Sequence, residues 1–124
     1  MLMAWKFQSG TSINAQIVDR LRTEILNGTY ESGSPFPTVR QLANIAGVNP
    51  NTMQKALSQL EEENLLVTRS TTGRFVTDDE SALDEARKKA LKSFTSNVIR
   101  DAKRSNINLD SLLQFLKEEW NNYE

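Results

Sequence analysis

The sequence predicts a mainly α fold with a small β-hairpin, in the order three helices, hairpin, two helices. Three observations carry that prediction. Apolar residues recur at helical spacing in five separate stretches. Two short β-prone runs, residues 65–69 and 74–77, flank the Gly-containing loop Ser70-Thr71-Thr72-Gly73. Small polar residues stand where helices would be capped, and glycines stand where two of them would end.

In the first helix Ile13, Ile17, Leu21, Ile25 and Leu26 form the apolar stripe, with Ser12 as cap and Gly28 behind. Asn14, Arg20, Arg22 and Glu24 fall on its outer face. Gly33-Ser34-Pro35 and Pro37 punctuate the approach to the second helix. There Thr38 is an N-cap with Gln41 at capping-box spacing, and Val39, Leu42, Ala43 and Ala46 share a face. Gly47 suits the left-handed position behind a helix, where a Cβ would be penalised. Asn49 caps the third helix and Pro50 fits its first position, where a missing N–H costs nothing. Met53, Ala56, Leu57 and Leu60 then recur at i, i+3, i+4 and i+7, leaving Asn51, Thr52, Gln54, Lys55 and Ser58 opposite. Asn64 lies near the end of this helix.

Two helices joined by a short Gly-containing turn are the helix-turn-helix arrangement, whose second helix reads base edges in a major groove. With the hairpin behind it, the unit becomes a winged helix-turn-helix. Arg69 and Arg74 flank the tip, where a wing meets phosphates or a minor groove. The plainer reading of the two helices alone is an αα-hairpin with a solvated polar face. The helix ahead and the hairpin behind favour the DNA-binding reading.

Residues from about 13 to 76 resemble the DNA-binding domain of the GntR family of bacterial transcription regulators. The resemblance rests on Ile13-Asn14-Ala15-Gln16-Ile17, Ile25-Leu26-Asn27-Gly28-Thr29-Tyr30 and the run from Gly33 through Pro37 and Arg40 to Ala43. Val48-Asn49-Pro50-Asn51-Thr52-Met53-Gln54-Lys55-Ala56 and Gly73-Arg74-Phe75-Val76 complete it in order. The Asn-Pro-Asn-Thr helix start, the Trp5-Lys6-Phe7 opening and the short tail resemble the YtrA-type branch. The resemblance implies a phosphate contact for Arg40 and DNA contacts for Thr38, Asn49, Asn51, Thr52, Gln54 and Lys55. It implies that Gly73 lets the wing backbone approach the minor groove. The chain departs from the family at Pro50 and Gln54, where many members carry arginine, and at Thr71, where the first wing glycine usually stands. Guanine readout by arginine is lost at those two positions, and Gln54 favours adenine by geometry. The resemblance also suggests that the regulated genes form a neighbouring transporter operon.

The 124 residues have room for one compact domain, residues 1–77, and a helical dimerisation tail, residues 78–124. Absence of cysteine leaves neither a disulfide framework nor a thiol nucleophile. No long apolar run is present, and the opening Met1-Leu2-Met3-Ala4-Trp5-Lys6 is too short an apolar stretch for a secretory signal. A cytoplasmic protein is expected. Net charge is −1, so composition offers no basic footprint. Residues 1–77 hold seven basic against six acidic side chains, and residues 78–124 hold eight against ten. The expectation is therefore local clustering, with Arg40, Lys55, Arg69 and Arg74 on one face and Glu61, Glu62 and Glu63 away from it.

In the tail, Ser81 reads as a cap with Asp84 completing a capping box. Leu83, Ala86, Ala90, Leu91, Phe94 and Val98 give the fourth helix its apolar face. Its basic residues Arg87, Lys88, Lys89 and Lys92 read as a solvated face rather than a second DNA contact. Residues 106–108 read as a turn with Asn108 as cap, and Leu109, Leu112, Leu113, Leu116 and Trp120 stripe the last helix with Phe115 beside them. Two such helices cannot bury all this surface against each other. A symmetric dimer is the expected solution, with Leu83, Leu91, Phe94, Val98 and the last-helix stripe as its contacts.

Fewer than 50 residues follow the hairpin, too few for a pocket-bearing effector domain. No cofactor or small-molecule effector is marked. With no histidine, no cysteine and no Gly-rich phosphate loop, catalysis and a metal centre are not expected. The reading is a dimeric, sequence-specific DNA-binding repressor on a palindromic operator. Its alternative is a winged-helix module that docks proteins without sequence-specific DNA binding.

Overall fold

The computed structural model describes residues 4–123; residues 1–3, part of the opening weighed above as a signal segment, and residue 124 lie outside it. Its elements run α1 Ile13–Leu26, α2 Val39–Ala46, α3 Pro50–Glu62, β1 Leu66–Thr68, β2 Arg74–Val76, α4 Glu80–Arg104 and α5 Leu109–Trp120. A single 3-10 turn, Ser70–Thr72, joins the two strands. The chain divides into two compact units, Met1–Arg87 and Lys88–Glu124.

Local chemistry sets the helix ends of the first unit. The Ser12 hydroxyl accepts the Ala15 N–H and starts α1. Thr38 and Gln41 form both halves of a capping box at α2, which stops at Gly47 in the left-handed region (φ 74°, ψ 37°). Asn49 Oδ1 accepts the Asn51 N–H at 2.7 Å, and Pro50 opens α3. Beyond the end of that helix Asn64 takes a φ of 64°, tolerated because a short amide side chain can adopt the left-handed region.

The inner stripes of the three helices meet in one core. Ile17, Leu21, Met53, Ala56, Leu57, Leu60 and Leu65 are fully buried, joined by Leu42, Ala46, Leu66 and Val76. Ile13, expected on the inward stripe of α1, is 46% exposed, because it precedes the turns of α1 that carry the buried residues. Trp5 and Phe7 pack against this core from the N-terminal segment. The Trp5 N–H donates to the Ala46 carbonyl, the Arg20 guanidinium lies 4.1 Å from the Trp5 ring centroid, and Gln16 exchanges two 2.8 Å bonds with the Gln8 backbone. At the far end of α3, Glu63 takes a two-point hydrogen bond from Arg22 of α1 at 2.8 and 2.7 Å.

β1 and β2 pair antiparallel in the register Leu66↔Val76, Val67↔Phe75 and Thr68↔Arg74. The other edge of β2 is covered by the segment before α2. Gly33 N–H donates to the Val76 carbonyl, Val76 N–H to Ser34, and Phe36 N–H to Arg74, with Pro35 opposite Phe75.

Two expectations about α4 are corrected. The helix begins one residue before Ser81, and its cap is Asp79, whose Oδ1 accepts both the Ser81 N–H and the Ser81 hydroxyl. The Ser81 hydroxyl, with its N–H, holds the Asp79 carboxyl below its ordinary pKa. Leu83, expected on the dimer-forming stripe, is 3% exposed within the core of the first unit, with Ala86 packed against the same cluster. Its side chain has no surface left for a second chain.

In the second unit, Ile107 N–H donates to the Ala102 carbonyl, Asn106 takes a φ of 58°, and Asn108 Oδ1 accepts the Ser111 N–H to start α5. Ala102 is buried, and Val98 and Leu112 are half-buried. Leu91, Phe94, Leu109, Leu113, Leu116 and Trp120 are exposed. Among the described residues no helix is long and apolar enough to cross a membrane.

Candidate nucleic-acid interface

The third helix presents two contrasting faces. Met53, Ala56, Leu57 and Leu60 have no exposure at all, which fixes the rotation of α3 about its axis. Asn51, Gln54 and Lys55, at i, i+3 and i+4, are exposed on the other side, and Thr52 is half-buried between. Gln54 Nε2 donates to the Ser58 hydroxyl at 3.1 Å, which orients the amide along the helix. One amide hydrogen and the carbonyl oxygen are still able to engage a base edge. Helical spacing puts Ser58 on this face, but not its bond to Gln54, which depends on the side-chain rotamers.

The helix N-terminus adds fixed donors. With Asn49 Oδ1 occupied by capping, its NH2 group faces outward as a donor, and the first backbone N–H groups of α3 carry the positive end of the helix dipole. Thr38 accepts from Gln41 N–H at 3.1 Å, so its hydroxyl hydrogen remains able to donate to a phosphate. Arg40, in the first turn of α2, is exposed. Neither Arg40 nor Lys55 forms an ion pair among the described residues.

The wing differs from expectation in its charges. Arg74 is engaged within the protein: its Nε donates to Glu61 Oε1 at 2.8 Å and its side chain is 18% exposed, with its two terminal NH2 groups remaining as donors. Glu61, expected away from the basic side chains, is the partner of Arg74, because the last turn of α3 packs beside the hairpin. The Thr68 hydroxyl donates to its other oxygen at 2.6 Å. That hydroxyl, with Arg74, draws the Glu61 carboxyl below its ordinary pKa against the opposing effect of partial burial.

Arg69 is the exposed wing cation. Its guanidinium lies 4.8 Å from the Phe75 ring centroid and 3.8 Å from Asp78. Gly73 has a φ of 97° and open space where a Cβ would project, so its role is conformational rather than steric. Ser70, with a φ of 49°, takes up the left-handed turn in a loop where Thr71 replaces the usual glycine.

A trihelical core with its third helix turned outward, a capped second helix and a hairpin wing defines a winged helix-turn-helix DNA-binding protein. Residues 13–76 match the family described as bacterial regulatory proteins, gntR family, and the chain belongs to that family. It is a DNA-binding transcription regulator, not an enzyme. It is similar to the HTH-type transcriptional repressor YtrA of Bacillus subtilis, with 31% identity over 112 residues covering 90% of this chain and 86% of the relative. The uncharacterized HTH-type transcriptional regulator YhcF of the same organism is 27% identical over 112 residues, covering 90% and 93%. Among solved structures, a GntR family transcriptional regulator from Listeria monocytogenes superposes with a TM-score of 0.84. Its identity is 34%, over 90% of this chain and 98% of that one.

Proposed function

We propose that this regulator is a dimeric repressor that places α3 in successive major grooves of a palindromic operator. The observation that carries the reading is the division of α3 into one fully buried face and one exposed face of Asn51, Gln54 and Lys55. A helix held so rigidly presents the same few polar groups every time, as sequence-specific readout requires.

In this reading Gln54 takes the two hydrogen-bonding positions of an adenine, while Lys55, Thr38 and Arg40 engage phosphates and set the register. Asn49, Asn51 and Thr52 lie along the first turn at the groove floor. Arg69 reaches the flanking backbone from the wing, with Gly73 allowing close approach. Repression is supported by the similarity to YtrA of Bacillus subtilis, itself described as a repressor. Transporter genes beside the coding sequence are the first place to seek the operator.

Dimerisation is supported by the exposed Leu91, Phe94, Leu109, Leu113, Leu116 and Trp120 of the second unit, joined by half-buried Val98 and Leu112. Covering a Leu- or Phe-sized side chain contributes roughly 1.5–3 kcal/mol, so several exposed ones on two short helices favour association. A two-fold dimer is the commonest closed assembly, and its symmetry requires inverted half-sites about one helical turn, or a multiple, apart.

The test is fluorescence anisotropy on labelled DNA from upstream of the protein's own gene, with scrambled competitor, across a salt series. Binding that resists competitor, weakens steeply with salt and falls on Gln54→Ala supports the reading. Equal affinity for upstream and scrambled DNA, unchanged by Gln54→Ala, would replace it with a protein-docking role for the same face.

A further inference from the structure

Glu61 sits in the last turn of α3, and its carboxylate is divided between the two strands of the wing. Oε2 accepts from the Thr68 hydroxyl on β1 at 2.6 Å, and Oε1 accepts from Arg74 Nε on β2 at 2.8 Å. Thr68 and Arg74 are register partners, the pair nearest the loop. One side chain of the reading helix thus grips both strands at the outer rung of the hairpin.

A ribbon of two three-residue strands has little stiffness of its own. Its base is held by Leu66 and Val76 in the core, but Val67 and Phe75 are only half-buried and Thr68 is exposed. The outer part therefore depends on polar contacts, the Phe36 N–H bond to the Arg74 carbonyl and the Glu61 bridge among them. Arg69 follows Thr68 directly, and its guanidinium lies over Phe75, the residue after Arg74. The same guanidinium also lies 3.8 Å from Asp78, so Arg69 is held between the outer part of the hairpin and the segment that follows β2.

We propose that Glu61 is a positioning residue for the wing's DNA contact: by bridging Thr68 and Arg74 it fixes the angle between α3 and the hairpin and so sets where Arg69 meets the duplex. This rests on the wing contact assigned to Arg69 above. The pairing also neutralises a carboxylate that would otherwise stand unpaired near the phosphates. Arg74 supplies the countercharge for Glu61, and Arg69 supplies the phosphate contact.

The test compares Glu61→Ala, Glu61→Gln, Thr68→Val, Arg69→Ala and the Glu61→Ala/Arg69→Ala pair by anisotropy on the labelled upstream duplex across a salt series. Circular dichroism melts establish that each variant is folded. Glutamine can still accept from Arg74 and donate to Thr68, so it should bind within about twofold of the parent. Alanine should weaken binding about fivefold, with a salt slope shallower by about one phosphate contact. Adding Arg69→Ala to Glu61→Ala should cost almost nothing further, since both remove the same contact. Thr68→Val keeps the Arg74 pair and should fall between, providing the reading should Glu61→Ala not fold.

Tighter binding by both Glu61 variants would mean that the carboxylate acts only by repelling DNA, which overturns the proposal. Fully additive losses from Glu61→Ala and Arg69→Ala would overturn it too. Were Arg69→Ala silent by itself, the wing contact would be absent and the proposal would fall with it. A harmful Arg69→Ala beside a harmless Glu61→Ala would remove the proposal and leave the wing contact standing.

Discussion

Gly47→Ala is the substitution whose cost can be worked out most fully. Gly47 lies in the turn between α2 and α3 with a φ of 74°, and a Cβ built there would come 2.7 Å from the Ala4 Cβ. The left-handed conformation costs an L-residue about 1–2 kcal/mol. Carbon atoms prefer separations of about 3.5–4.0 Å, so the overlap is close to 1 Å, and overpacking of this kind costs about 1–3 kcal/mol. The turn cannot relax freely, because the Trp5 N–H is bonded to the Ala46 carbonyl one residue away. The sum is a loss of about 2–5 kcal/mol, a large share of the stability of a small domain.

Gly28→Ala supplies the control. Gly28 also follows a helix with a positive φ, 85°, but nothing lies within 4 Å of its would-be Cβ. It should lose only the conformational part, about 1–2 kcal/mol. Urea unfolding followed by circular dichroism measures both, and the difference isolates the steric part. Ala4→Gly in the Gly47→Ala background removes one of the colliding carbons and should recover most of that difference. If Gly47→Ala proves no worse than Gly28→Ala, or Ala4→Gly restores nothing, the packing of the N-terminal segment on the turn is wrong.

Four further outcomes are expected. Thr38→Ala removes the side-chain half of the α2 capping box, leaving the backbone N–H bond to Gln41, and should cost about 1 kcal/mol in the same unfolding assay. Leu83→Ala should cost about 2–5 kcal/mol because the residue is buried in the first unit, yet leave sedimentation unchanged. Leu116→Asp, at a 45% exposed position, should instead shift sedimentation toward monomer. Glu61 has a folded-state pKa below its unfolded one, so its stabilising contribution is complete above the ordinary glutamate value of about 4.3. That contribution drains away as the pH falls through the lower folded value. Glu61→Gln should therefore flatten the stability profile below about pH 5, read by urea midpoints, and a parallel profile would refute the assignment.

What could be read from sequence divides along the reach of the chemistry. Ser12, Thr38 with Gln41, Gly47, and Asn49 with Pro50 act on backbone groups within a few residues. Their roles follow from order alone, and the structure places each helix end where they predict. Leu83 shows the limit: periodicity says that a residue belongs to an apolar face but not which body that face meets. The cap of α4 is ambiguous in sequence for a related reason. Asp79 and Ser81 are both good caps, and the choice falls to Asp79, whose N–H is also tied to the hydroxyl of buried Thr77.

Long-range polar pairs were the least legible part of the site. Glu61 and Arg74 are thirteen positions apart and meet only because α3 and the hairpin pack side by side. From sequence they are an acid on a helix surface and a base at a loop. The exposed face of α3 was legible because spacing alone separates Gln54 and Lys55 from Met53 and Leu57. The N-terminal segment lay between these cases. Trp5-Lys6-Phe7 stood out as a motif, and its alternation matches two aromatic rings turned inward around an exposed lysine, but not the turn they cover.

The strand β2 serves two neighbours at once. On one side it pairs with β1, and on the other with residues 33–36, which run directly into Pro37 and the Thr38 cap of α2. No open edge is left on that side for another chain to pair with, which removes one route to aggregation from a hairpin that must stay exposed to work. The same sharing makes the wing and the helix-turn-helix mechanically continuous. A load applied at the hairpin reaches the start of α2 through a single hydrogen-bonded segment, which Phe36 also anchors in the hydrophobic core.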